Sequence, residues 1–66
     1  MASPHDDYDI DTRISTLVER GRLRFSTGDL LAALSEFEHA HALDPENAEV
    51  VELIHRAQEA IAARGG

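Results

Sequence analysis

Apolar residues return every three or four positions through most of this chain, and each run is bounded by residues that start or stop helices. Ile14, Leu17, Val18, Gly21 and Phe25 fall on one stripe, which predicts a helix from about residue 12 to Ser26. Asp11 or Thr12 can accept hydrogen bonds from the free N–H groups at its start. Gly28 can adopt the left-handed backbone that stops a helix, and Asp29 beside it is a ready N-cap for the next. That second helix runs from about Leu30 to Leu43, with Leu30, Ala33, Leu34, Phe37, Ala40 and Leu43 inward and Ser35, Glu36, Glu38 and His39 toward water. Asp44 and Pro45 suit a cap followed by a first helical position, where proline costs no hydrogen bond. A third helix, about Pro45 to Ala63, carries Val50, Val51, Leu53, Ile54, Ala57, Ala60 and Ile61, a stripe wider than one packing face requires. No period-two alternation or hairpin signal competes. The fold class expected is all-α: an antiparallel helix-turn-helix plus a third C-terminal helix over residues 12–64.

Residues 1–11 differ in character. They hold Pro4 and the aspartates Asp6, Asp7, Asp9 and Asp11 with little apolar content, too little to repay the entropy of ordering, so a disordered acidic tail is expected. The whole chain is 66 residues long, and a body of that size buries a thin core that disulfides, a metal or oligomerisation commonly supplement. Disulfides are excluded because there is no cysteine. That absence also removes thiol catalysis and cysteine-based zinc motifs and is compatible with a reducing compartment. No run reaches the roughly 20 apolar residues of a membrane span, and the N-terminus lacks a basic-then-apolar signal. A cytoplasmic protein is therefore expected.

The positive charge is all arginine, and the formal net charge is −7. Such a field opposes phosphate backbones and anionic lipid, so neither nucleic acid nor membrane is an expected partner.

The stretch from Ile14 to Asn47 is 34 residues long, the period of one helical repeat family. Gly21 and, twelve residues later, Ala33 are small enough to let two helices approach. Phe37 follows Ala33 by four, and Pro45 follows Phe37 by eight. Gly28 and Asp29 sit at the turn, and Leu43, Asp44, Pro45 and Asn47 close the unit. In these positions the chain resembles the tetratricopeptide repeat (TPR) family, one repeat plus a capping helix, over about three quarters of its length. It departs from the family in the first helix, where Leu17 stands at the place of a large aromatic, Arg20 at that of a leucine and Arg24 at that of a tyrosine. The resemblance implies helix packing through Gly21, Ala33, Phe37 and Pro45. It also implies a peptide-binding surface on the first helix, formed by Ser15, Val18, Glu19, Arg22, Phe25 and Ser26. The lysine and asparagine arrangement with which some members clamp a chaperone's acidic C-terminus is absent.

Repeats of this kind bury their apolar faces by stacking on neighbours, and about three are normally needed for stability. Either the third helix terminates the unit or two chains associate; the wide apolar stripe favours a homodimer through Val50, Leu53, Ala57 and Ala60.

Chemistry beyond binding finds little purchase. His39 and His41 are two residues apart and project about 200° apart on a helix, so they cannot share one ion. Asp7, Asp9 and Asp11 resemble the opening of a calcium loop, but Thr12 replaces its central glycine and Val18 its closing carboxylate. The carrier-protein alternative lacks its attachment serine, because Gly28 and Asp29 lead into Leu30. No metal, cofactor or catalytic residue is implied, and no enzyme is expected. Arg20, Arg22 and Arg24, with Arg13 nearby, form a cationic cluster that either offsets the negative end of the first helix or seeks a partner's carboxylates. The reading that follows is a non-enzymatic interaction module whose partner is another protein or peptide. The alternative is a fragment or designed minimal repeat acting as a scaffold with no partner of its own.

Overall fold

The computed structural model describes residues 3–65, with side chains from residue 10 onward. Three helices follow one another: α1 Ser3–Ser26, α2 Leu30–Leu43 and α3 Ala48–Gly65. The architecture is all-α, with α2 packed against both α1 and α3. No strand occurs among the described residues.

The turn between α1 and α2 forms as its glycine and aspartate dictate. Gly28 has φ +89°, the left-handed region, and the amides of Gly28 and Asp29 donate back to the carbonyls of Phe25 at 3.1 Å and Arg24 at 2.9 Å. These two bonds close a helix C-terminus in the Schellman manner. Asp29 then caps α2, its Oδ1 accepting from the Ala32 amide at 3.4 Å.

Two helix starts lie elsewhere than the sequence suggested. α1 reaches back to Ser3, so Asp11 and Thr12 are interior to it instead of capping it, and residues 3–11 of the expected tail are helical. Pro4 falls in the first turn, where a missing N–H costs no bond. The first two residues of that tail lie outside the described part. α3 begins at Ala48, not at Pro45. Asp44, Pro45, Glu46 and Asn47 form a turn in which the Asn47 amide donates to the Asp44 carbonyl at 3.1 Å, with aspartate and proline in the places a type I turn favours. Asn47 is the cap, its Oδ1 accepting from the Val50 amide at 3.3 Å.

The core has two parts. Ile14 and Leu17 of α1, Ala40 of α2 and Val50 of α3 form one, edged by Val18 and Leu43. Ala33, Phe37 and Ala57 form the other, edged by Phe25, Leu34 and Leu53, and Ile54 packs against both. Phe37, Ala33, Ala40, Val50 and Ala57 are fully buried. The close approach of α1 and α2 places Gly21 against the ring of Phe37: a Cβ on Gly21 would come within 2.7 Å of Phe37 Cδ1. Ala33 is buried in the cluster of Phe37 and Ala57, so both small residues belong to the packing around Phe37.

Where an aromatic would be expected in α1, Arg24 Nε reaches Glu36 at 3.2 Å, with the Glu36 side chain only 17% exposed. An ion pair thus stands where the resemblance implied a ring. The wide stripe of α3 also has its explanation. Val50 and Ala57 are interior, Val51, Leu53, Ile54, Ala60 and Ile61 are half-buried, and Glu52, His55, Arg56, Gln58 and Glu59 are exposed. One helix covering parts of both core clusters needs that width.

Candidate functional site

Two hollows lie between α1 and α3. The first, about 370 Å³, is lined by Ile14, Ser15, Val18, Glu19, Arg22, Asn47 and Glu49. The second, about 150 Å³, is lined by Arg22, Phe25, Phe37, Leu53 and Arg56. Arg22 borders both, so they lie end to end along the groove that has α1 as one wall and α3 as the other. The Arg22 guanidinium donates to Glu49 Oε2 at 2.8 Å, linking the walls at the junction. Both partners are more than half exposed, and such pairs contribute little net energy because water competes for each charge.

The groove gathers most of the residues expected on the binding surface. Ser15, Val18, Glu19, Arg22 and Phe25 line it. Ser26 does not; its hydroxyl donates to the Leu23 carbonyl at 2.8 Å in the last turn of α1. Asn47, Glu49, Leu53 and Arg56 supply the opposite wall, a role not anticipated for them. Two of these stand at a regular spacing in the sequence: Glu49 and Arg56 lie 34 positions after Ser15 and Arg22.

The proposed self-association residues are divided. Val50 and Ala57 are fully buried within the chain, because they fill the seams against α1 and α2, and cannot meet a second copy. Leu53 packs against the Phe37 cluster, and Ala60 is half-buried. Among the described residues the large apolar side chains that do face water are Leu31 at 71%, Leu23 at 66% and Ile10 at 42% exposure.

Most of the cations are engaged within the chain. Arg22 pairs with Glu49, Arg24 with Glu36 and Arg56 with Glu52, and Arg64 donates from Nη1 to the Gly28 carbonyl at 2.6 Å. Arg20 is exposed. The cluster read from the sequence is therefore split, with Arg22 facing the groove and Arg24 turned to α2. Glu19 lines the groove without an ion-pair partner among the described residues.

No family model, curated protein or solved structure matches this chain.

His39 and His55 are exposed and His41 is half-buried. Among the described residues no three histidine or acidic side chains gather as a metal site would require, and no helix is long and apolar enough to cross a membrane. A further shallow hollow, about 380 Å³, lies between the start of α2 and the end of α3, lined by Gly28, Asp29, Leu30, Leu31, Ile61, Arg64 and Gly65.

Proposed function

We propose that this chain is a non-enzymatic, TPR-like interaction module that docks a segment of another protein in the groove between α1 and α3. The single observation carrying this reading is the lining of that groove. Half-buried Val18, Phe25 and Leu53 lie beside Ser15, Glu19, Arg22, Asn47 and Arg56. Apolar floor with polar groups at its edges is what peptide recognition uses, the first for affinity and the second for register. The 34-residue spacing of Arg22 and Arg56 on the two walls supports the likeness to a repeat, in which equivalent positions of successive first helices face one surface. The lack of cysteine suits a cytoplasmic setting.

Self-association belongs to the proposal in a narrower form. Leu31 beside Leu30 and Ile61 offers an apolar surface at the other end of the hairpin, and a homodimer would use it in place of Val50 and Ala57. Light scattering on Leu31→Glu against the unaltered chain decides this: loss of a dimeric mass supports it, and a monomer in both removes it.

The docking reading is tested by selecting peptides from a displayed random library on the intact chain and mapping them by amide NMR. Shifts concentrated at Val18, Phe25 and Leu53 support it. Selected peptides that map elsewhere, or a library that yields no binder, overturn it.

A further inference from the structure

The groove's chemistry also selects among partners, an inference that rests on the docking reading above. Arg22 and Arg56, its two cations, are each held by a carboxylate of α3, Glu49 and Glu52. Glu19 is not so matched among the described residues, and it stands beside half-buried Val18 in the larger hollow. One turn and two turns before Glu19, Ser15 and Asp11 continue the same edge of α1 and line an adjoining hollow with it. The local balance is therefore acidic where the apolar floor is open, and the chain as a whole carries −7. An acidic partner would have to displace Glu49 or Glu52 from an arginine while approaching against that field. A basic one meets carboxylates already facing water, and the field assists its approach.

We infer that the groove takes a basic, apolar-containing peptide segment, its aliphatic or aromatic side chain resting on Ile14 and Val18 and a neighbouring lysine or arginine reaching Glu19 and Asp11. The apolar contact gives the site its selectivity over a merely cationic chain, because exposed charge pairs alone are weak and salt-sensitive.

The experiment is fluorescence anisotropy on the intact chain with three labelled peptides of equal length: alternating lysine and leucine, alternating glutamate and leucine, and lysine alternating with serine. The lysine–leucine peptide should bind best and weaken as salt is raised. Glu19→Gln should weaken it about three-fold and the Asp11→Asn, Glu19→Gln pair about ten-fold, the size expected for partly screened charge contacts. Val18→Thr, which keeps shape but adds a hydroxyl to the floor, should also weaken it while leaving the circular dichroism spectrum unchanged. Stronger binding of the glutamate–leucine peptide would overturn the inference and leave the docking reading standing. Equal binding of the two lysine peptides, or indifference to Val18→Thr, would overturn it as well, by reducing the effect to unselective charge attraction. Absence of any library-selected binder in the groove, by contrast, is the failure of the docking reading itself.

Discussion

Gly21 lies against the Cδ1, Cε1 and Cζ atoms of the Phe37 ring, so close that even one added carbon on the glycine would overlap the ring. This contact sets how near α1 and α2 can come, and it explains why a residue with poor helix propensity stands in the middle of a helix. The cost of glycine there, about 1 kcal/mol relative to alanine, is offset by the burial of a full aromatic side chain at 0% exposure.

Gly21→Ala should accordingly destabilise the fold despite its better propensity. Overpacking of a filled core costs about 1–3 kcal/mol, so a net loss of up to about 2 kcal/mol is expected once about 1 kcal/mol of propensity is returned. Urea unfolding measures it, and the same substitution in a Phe37→Leu background should cost less, since the two sites are coupled. An equal cost in both backgrounds would place the strain elsewhere.

Gly28→Ala should be unfavourable for a different reason. The residue has φ +89°, where a Cβ meets the backbone, and a loss of about 1 kcal/mol or more follows from that conformation alone. Gly65 has nothing near it, so Gly65→Ala, compared in the same thermal melts, should change little.

Asn47→Ala tests the start of α3. Removing the Oδ1 that accepts from the Val50 amide should cost about 0.5–2 kcal/mol, whereas Pro45→Ala, in the preceding turn, should cost less. If Pro45 proved the costlier of the two in chemical denaturation, the helix would start earlier than Ala48.

Leu53→Glu separates folding from assembly. Leu53 packs against the cluster of Ala33, Phe37 and Ala57, so a carboxylate there should lower helicity measured by far-ultraviolet circular dichroism, through the cost of burying an unpaired charge. The exposed Leu31→Glu should leave helicity intact. Full helicity in both would mean that Leu53 contributes little to the core.

Helix identity was readable where apolar spacing and stop signals agree. Phe37, Ala33, Ala40, Val50 and Ala57 are interior as their stripes require, and the Gly28–Asp29 turn follows from two residues with distinct backbone and side-chain abilities. What the pattern hid was competition between caps. Asp44–Pro45 and Asn47 are both plausible helix starts, and only the geometry of the intervening turn chooses between them. The same holds at the N-terminus, where aspartates that count against ordering by composition also suit the opening of a helix.

The groove was half legible for a related reason. One wall lies on α1 and could be read from its face, but the other depends on how α3 is laid across the hairpin, a tertiary fact. Arg24 and Glu36 show the limit most clearly. Nothing in the spacing of a single helix says that an exposed arginine will reach across to a partner on the next helix, 12 residues away.

The bond from Arg64 to the Gly28 carbonyl joins residues 36 apart in the chain, and so turns a linear succession of helices into a closed circuit. The last turn of α3, where a helix frays most readily, is moored to the turn between α1 and α2. Cutting that mooring with Arg64→Ala should quicken amide exchange near Ala60 and Ile61 before it touches the middle of the bundle.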